Sequence, residues 1–124
     1  DLLLHRQVHP SFIQGDQFSS QVFTSQVFTP TPKDEKLLSV YNGDYFEAED
    51  SYIHYTEDRG LKSSGVVSIS EPECEQIELK VNQDNDPFEG HASIDYTELG
   101  NKVIKKKAKY LKSKAQKRGW TYKP

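Results

Sequence analysis

The C-terminal quarter of the chain is patterned as one amphipathic helix. Its apolar residues recur at intervals of four, three and four positions, which keeps them on one side of a 3.6-residue period. Gly119 follows where a glycine commonly ends a helix, and Trp120 can fold back onto the apolar stripe. The pattern predicts a helix over 101–118, whose narrow stripe needs a covering surface and consists of Ile104, Ala108, Leu111 and Ala115.

The charge of the chain is divided between this segment and the rest. Residues 98–124 carry ten Lys or Arg and a single acid, Glu98, a balance of +9. The first 97 residues carry six bases and eighteen acids, a balance of −12, and the whole chain has a net charge of −3. We interpret 1–124 as one domain with an N-terminal arm (1–18), an acidic mixed α/β body (19–97) and a basic C-terminal helix with a Trp-containing tail (98–124).

The composition predicts a small core rich in aromatic side chains. Hydrophobic residues make up only 34% of the 124 residues, but six Phe, seven Tyr and one Trp supply large buried surfaces. The single cysteine, Cys74, cannot form an internal disulfide, which favours a cytoplasmic location. The flanking charges of Glu73 and Glu75 oppose a thiolate, so Cys74 is predicted to be a packing residue. The sequence contains no Met, and Asp1 is therefore not expected to be the translated start.

The acidic body combines short strand patterns with one further helix. Residues 20–24 are repeated identically at 25–29, and their composition predicts a strand or a hairpin. Asp44 and Glu47 have the spacing of a capping box, which predicts a helix over 45–59 that Gly60 ends. Further strands are predicted at 37–41, 65–70, 76–81 and 91–96, whereas 1–18 lack periodicity. The pattern predicts an α+β fold, a two-layer sandwich of about four to five mostly antiparallel strands with two helices on one face.

The lysines of the C-terminal helix, with Tyr110 and Trp120, form the candidate binding surface. Such a surface could neutralise phosphates, but a nucleic-acid reader usually adds accessible aromatic side chains and a higher isoelectric point than the 5.8 of this chain. We therefore expect a protein partner, with self-association of the basic helix on the acidic body as one alternative and nucleic acid as another. The lysines in question are Lys102, Lys105, Lys106, Lys109 and Lys112.

Two histidines lie in similar four-residue frames, His-Tyr-Thr-Glu from His54 and His-Ala-Ser-Ile from His91. This pattern resembles the paired motifs of the 2H phosphoesterase family. The resemblance implies that the two histidines act as acid and base on a phosphodiester. That family carries its motifs on facing strands, whereas the helix predicted over 45–59 turns His54 away from its buried stripe, near Asp50 and Asp58.

His91 is the stronger catalytic candidate, and His9 in the arm is a third. His91 shares a predicted strand face with Ser93 and Asp95 and follows an acidic loop that contains Asp84, Asp86 and Glu89. Same-face neighbours lie ~7 Å apart along a strand, so a serine triad is not implied. The loop lacks most of a calcium-binding pattern, and no metal or cofactor is expected. A polar sheet face is the alternative interpretation, and a hydrolase centred on His91 would need an acid–base pair within ~3 Å.

No recognised catalytic motif occurs, and so the sequence favours a protein without catalysis of its own. We expect a small interaction module, of the adaptor or immunity kind that partners a neighbour in a bacterial operon. Nucleic-acid binding through the Lys-rich helix and a small His-dependent hydrolase or phosphodiesterase are the alternatives. No membrane partner is expected, because the helix stripe is narrow and no apolar run approaches the ~20 residues of a span.

Overall fold

The computed structural model describes residues 1–13 and 23–124 and has an α+β fold with a five-stranded antiparallel sheet. The strands, in chain order, are β1 (Leu3–Gln7), β2 (Leu37–Asn42), β3 (Val66–Ser70), β4 (Lys80–Asn82) and β5 (His91–Asp95). Within the sheet their order is β3-β1-β2-β5-β4. The helices are α1 (Ala48–Ile53), which continues as a π-helix (His54–Asp58), α2 (Glu71–Gln76) and α3 (Asn101–Arg118), with 3₁₀ segments at Pro10–Phe12, Ser25–Phe28 and Pro32–Asp34.

Helix α3 confirms the prediction over 101–118 at both ends. Its buried residues are the four of the apolar stripe, and they join the hydrophobic core together with one face of the sheet. Gly119 ends the helix with a positive φ of 85°, a conformation that glycine adopts without steric cost. Trp120 packs against the same core, where its ring centroid lies 6.0 Å from that of Phe23.

The two faces of the sheet are buried in different ways. Leu4 and Ile69 pair across β1 and β3 and belong to the hydrophobic core. Because side chains alternate along a strand, His5 and Gln7 point to the opposite face, which is polar. Helix α1 meets this polar face, where Gln7 Nε2 donates to Ser51 Oγ at 3.0 Å. The expectation of two helices on one face is therefore not met, although the α+β fold with a largely antiparallel sheet is confirmed.

The N-terminal arm was predicted wrongly, because residues 3–7 form strand β1 inside the sheet. This strand shows no alternation of apolar and polar residues, since both of its faces are covered. Leu4 enters the hydrophobic core, while His5 and Gln7 are buried on the polar face by hydrogen bonds. The end of the arm, residues 14–18, lies outside the described residues.

The duplicated segment does not form the predicted strand where the structure describes it. Residues 20–22 of the first copy lie outside the described residues, and Ser25–Phe28 of the second copy form a 3₁₀ turn. Val27 and Phe28 are buried in the core, and Thr29 Oγ1 donates to the carbonyl of Ser25 at 2.9 Å. Packing against α3 thus overrides the strand preference of these residues.

The strand predicted at 76–81 is largely wrong, because helix α2 occupies 71–76 and β4 begins only at Lys80. A capping box starts α2, in which Ser70 Oγ accepts from Glu73 N and Glu73 Oε1 accepts from Ser70 N. Pro72 lies in its first turn, a position that tolerates proline. Glu78 has a φ of +60°, which interrupts the extended backbone before β4.

The other elements of the body follow the sequence more closely. The strands predicted at 37–41, 65–70 and 91–96 correspond to β2, β3 and β5 within one residue at each end. The helix predicted over 45–59 begins later, at Ala48, and its N-cap Glu47 makes no side-chain capping bond. The predicted capping box at Asp44 is therefore wrong, since Asn42 Oδ1 instead accepts from the backbone N–H of Asp44.

The C-terminal tail covers the edge of strand β3. Val66 N donates to the carbonyl of Tyr122 at 2.8 Å, and Thr121 N donates to the carbonyl of Val66 at 2.9 Å. Arg118 extends the same contact, because its Nη1 donates to the carbonyl of Ser68 at 2.8 Å. The last turn of α3 and the tail are thereby attached to the sheet.

Candidate functional site

The predicted lysines lie outside the buried stripe of α3, although Lys105 and Lys112 lie on its flank and Lys112 is half-buried. At about 100° per residue, Lys102, Lys106 and Lys109 project opposite to Ile104 and Leu111. We call this surface the basic face, and it consists of Lys102, Lys105, Lys106, Lys109, Lys112 and Lys117.

Among the described residues, no acidic side chain of the body forms an ion pair with the basic face. Within residues 1–13 and 23–124, the ion pairs are His91–Asp84 and Arg118–Glu73. No lysine of the basic face therefore has a carboxylate within 4.0 Å in this part of the chain. The positive field of the face is directed into solvent, where it can attract a partner of opposite charge.

An apolar groove runs along one flank of the basic face, between α2 and α3. It has a volume of about 420 Å³, within the ~300–1,000 Å³ of typical ligand pockets. Val103, which is 43% exposed, and Ile77 supply its apolar surface, while Lys106 and Glu78 contribute opposite charges. Tyr110 links the two helices across the groove, since its hydroxyl donates to Gln76 Oε1 at 2.8 Å. The positive charges of the basic face therefore lie next to an exposed apolar surface.

The two aromatic residues predicted for binding are occupied within the protein. Tyr110 donates its hydroxyl to Gln76, and the Nζ of Lys114 lies over its ring, 5.2 Å from the centroid. Trp120 packs between the core and Lys123, whose Nζ lies 4.5 Å from the ring. Neither ring is placed as a stacking platform for nucleic-acid bases.

On the polar face of the sheet, Asp84 binds two side chains of β5. The Nδ1 of His91 lies 2.6 Å from Asp84 Oδ1, and Ser93 Oγ donates to Asp84 Oδ2 at 2.7 Å. Since a carboxylate only accepts, His91 carries its proton on Nδ1, and no described residue hydrogen-bonds to its Nε2. Burial acts to raise the pKa of Asp84, but the hydrogen bonds from His91 and Ser93 prevail and hold that pKa below its ordinary value. The acidic loop thus supplies one specific partner to His91.

His54 is placed differently from the prediction, which turned it to solvent. Its Nδ1 lies 2.8 Å from the hydroxyl of Tyr41 on β2, and its ring centroid lies 4.5 Å from that of Phe88. Phe88 also contacts His91, at a centroid distance of 5.3 Å. The change from α1 to a π-helix at residue 54 alters the directions in which the side chains point. A prediction based on a 3.6-residue period does not include this change. His54 and His91 therefore share one aromatic cluster through Phe88.

His9 is not part of this cluster. Its Nδ1 accepts from Ser11 N at 3.0 Å, and its ring contacts Phe12 at a centroid distance of 6.1 Å. It is the N-cap of the 3₁₀ turn Pro10–Phe12 and is exposed. The structure assigns it a local capping contact.

Sequence reasoning missed a third histidine of the polar face, His5. Its Nε2 lies 3.0 Å from the carbonyl of Phe46, and its Nδ1 lies 2.7 Å from Ser68 Oγ. A carbonyl can only accept, so the proton of the neutral ring lies on Nε2 and Ser68 donates to Nδ1. Burial lowers the pKa of His5, against the opposing effects of the Phe46 carbonyl and of Glu47. No periodicity marked His5, because it lies in a strand buried on both faces.

Cys74 lies within the hydrophobic core, as predicted for a packing residue. Burial, followed by the nearby charges of Glu73, Glu71 and Glu75, raises the pKa of its thiol to about 12. The thiolate that nucleophilic chemistry requires is therefore strongly disfavoured at neutral pH.

In the part of the chain that the structure describes, no three His, Cys, Asp or Glu side chains are arranged to hold a metal ion. The same residues contain no helix with both the length and the apolar character of a membrane span. No protein-family model matches the chain, and no curated protein or solved structure is significantly similar to it.

Proposed function

We propose that the protein is a small interaction module that binds an acidic segment of another protein through the basic face and the adjoining groove. The observation that carries this proposal is the combination of lysines that have no ion-pair partner among the described residues with an exposed apolar groove on one side of α3. An acidic segment would supply the missing counter-charges, and an apolar side chain would cover Val103 and Ile77.

Protein fits this surface better than nucleic acid does. Tyr110 and Trp120 are engaged in internal contacts, so the surface offers lysines without an accessible stacking ring. The groove adds apolar area, which contributes to a protein interface but gains little from a phosphate backbone. Opposite charge would speed the encounter, and the groove would provide specificity.

The direct test measures binding of fluorescent probes by anisotropy. The probes are a peptide that alternates acidic and leucine residues, its lysine counterpart, and single- and double-stranded oligonucleotides. We expect the acidic peptide to bind best, and we expect Lys106→Glu/Lys109→Glu to weaken its binding at least about tenfold, the range for charge-assisted contacts. Lys33→Glu/Lys62→Glu is the matched control with the same change of net charge, and it should bind like the wild type.

A second variant separates the two macromolecular partners. Val103→Ser changes the groove without changing the charge of α3, so it should weaken the peptide and leave oligonucleotide binding unaffected. Tighter binding of the oligonucleotides, with steep loss at raised salt and no effect of Val103→Ser, would support the nucleic-acid alternative. Equal binding of the acidic and basic peptides would contradict both the protein-partner proposal and the nucleic-acid alternative, because each requires the positive charge of the basic face to select a negatively charged partner.

A small hydrolase centred on His91 is a second candidate function, favoured by the 2.6 Å contact between His91 and Asp84. A carboxylate that holds Nδ1 leaves Nε2 as the basic nitrogen, the arrangement of an oriented general base. Turnover of chromogenic carboxylic and phosphate esters tests this role. We expect His91→Gln to lower the rate about 100-fold and His9→Gln to leave it unchanged. Equal rates for the two variants would exclude catalysis by His91.

A further inference from the structure

A cleft lies where strands β1 and β2 separate; the proposed binding surface on α3 does not use it, and it shares His91 with the second candidate function. These strands pair only through Leu4–Asn42 and His5–Tyr41, and beyond that point they diverge. The cleft opens there, beneath the π-helix. The side chains that line it include those of His5, Arg6, Tyr41, Tyr55, Arg59 and His91.

The cleft is lined by two arginines and by the Tyr55 hydroxyl, whereas the ring protons of His5 and His91 are already donated to the Phe46 carbonyl and to Asp84. It contains two arginines, two histidines and two tyrosines, and none of its described lining residues is Asp or Glu. This composition differs from that of the surrounding body, in which acids outnumber bases eighteen to six over the first 97 residues. Two arginines in a cleft whose described lining contains no carboxylate make it complementary to an oxyanion.

Arg6 brings a positive charge to the floor of the cleft. Its Nε donates to the carbonyl of Val27 and its Nη1 to the carbonyl of Ser39, each at 2.8 Å. No described carboxylate lies within ion-pair distance of Arg6. The backbone carbonyls take up two of its N–H donors but supply no full negative charge, and Asp34 acts on it only from beyond ion-pair distance. A half-buried guanidinium without a direct ion pair among the described residues is unfavourable, and a bound anion would relieve that penalty.

Arg59 brings the second cation, at the mouth of the cleft. It follows the π-helix directly and is exposed, and its guanidinium carbon lies 5.5 Å from the ring centroid of Phe88. It also has no carboxylate partner among the described residues. Arg59 also hydrogen-bonds the Tyr41 hydroxyl, and because it is exposed and these contacts lie at the cleft itself, it can turn toward a ligand at low energetic cost.

The size of the cleft limits what can enter it. Its volume is about 20 Å³, comparable with the 10–15 Å³ that one water molecule needs on the same measure. A single oxygen atom fits this space, whereas the remainder of a ligand must stay at the mouth, beside Arg59. The two guanidinium charges match the charge of roughly −1.5 to −2 on a phosphoryl group at neutral pH.

We propose that this cleft binds a phosphoryl group, with Arg6 and Arg59 supplying the positive charge and the Tyr55 hydroxyl a further donor. One phosphoryl oxygen takes the space of a water molecule between the diverging strands. The inference concerns binding at the polar face and does not depend on the basic face or on catalysis by His91.

The test is an NMR titration of the full chain with inorganic phosphate, with chloride adjusted to hold the ionic strength constant. We expect saturable amide shifts in residues 39–41, 55–59 and 91. Arg59→Gln should weaken binding at least about tenfold, the range for loss of a charge-assisted contact. The matched control Lys62→Gln should bind like the wild type. Phenyl phosphate in a second titration distinguishes a phosphate monoester from free phosphate, since only the monoester gains from contacts at the mouth.

Two further variants keep the result interpretable. Tyr55→Phe retains the ring and removes one donor, so it should weaken binding severalfold even if Arg6→Gln fails to fold. Lys106→Glu/Lys109→Glu should leave the titration unchanged, because the basic face lies on the other side of the sheet. Linear shifts without saturation, shifts centred on α3, or an affinity unaltered by Arg59→Gln would each overturn the proposal.

Discussion

The carboxylate of Asp84 links His91 to Ser93, with Oδ1 lying 2.6 Å from the His91 ring and Oδ2 accepting from the Ser93 hydroxyl at 2.7 Å. One side chain of the loop thereby satisfies two polar side chains of β5. The link fixes the tautomer of His91 and holds the loop against the sheet.

Removing the charge of Asp84 should destabilise the protein moderately. Asp84→Asn removes the charge and replaces one of the two oxygens that accept from His91 and Ser93, and because the side chain is 33% exposed we expect a loss of only about 1–2 kcal/mol in the free energy of unfolding. The pKa of Asp84 is lowered, so its contribution is present above the ordinary carboxyl pKa of about 4 and is lost as the pH falls through the folded-state value. Urea denaturation checks this, with Asp86→Asn as a loop control that should leave stability unchanged. Equal effects of the two variants would contradict a specific role for Asp84.

His5 should make the protein less stable in mild acid. Burial lowers its pKa, so the unfolded chain binds the proton more readily than the folded one. Below about pH 6.5 the free energy of unfolding should therefore fall by up to about 1.4 kcal/mol per pH unit from this group, until the folded-state pKa is passed. His5→Gln should remove this part of the slope, whereas His9→Gln should retain it. An unchanged slope in His5→Gln, measured by urea denaturation across that range, would be inconsistent with a neutral buried His5.

Substitutions in the buried apolar stripe of α3 should destabilise the protein, whereas substitutions of exposed apolar residues on the same helix should not. Leu111 is 0% exposed and Val103 is 43% exposed, although they lie on the same helix. Leu111→Ala leaves a cavity and should cost about 2–5 kcal/mol, whereas Val103→Ala should change stability by less than about 0.5 kcal/mol. Similar losses in chemical denaturation would show that α3 packs differently.

Substitution of Glu73 should reduce the stability of the protein more than substitution of its partner Arg118. Its carboxylate caps α2 and also pairs with Arg118 through contacts of 3.0 and 3.2 Å, so Glu73→Ala removes two stabilising interactions at once. We expect a loss of about 1–2 kcal/mol for Glu73→Ala, and less for Ser70→Ala, which removes only one capping bond. Thermal unfolding ranks the variants, and hydrogen exchange at Val66 should increase in Arg118→Gln, because Arg118 helps attach the tail. Unchanged exchange there would contradict that attachment.

The sequence predicted elements best where one side faces solvent. Helix α3 exposes its lysines and buries a stripe, so its period and its bounds were readable. Strand β1 is buried on both faces, and its residues carry no alternation to detect. Helix α2 was concealed by the alternation of residues 76–81, although the capping box at Ser70 was a local signal that could have located it.

The candidate sites were predictable to the same limited degree. The basic face follows directly from the helical period. The proximity of His91 to the acidic loop was foreseen, but not that Asp84, rather than Asp86 or Glu89, approaches it. The cleft joins Arg6, Tyr41 and Arg59 from elements far apart in the chain. Sequence spacing alone does not reveal such a meeting, because it depends on strand order and on where β1 and β2 diverge.

The tail at the edge of β3 has a consequence for self-assembly. All five side chains of β3 are buried, and without Thr121 and Tyr122 its outer backbone groups would form an open template for another strand. The opposite edge is β4, which is only three residues long and begins with Lys80, a poor template. Removing residues 120–124 should therefore expose the edge of β3, and we expect the shortened protein to polymerise through that strand.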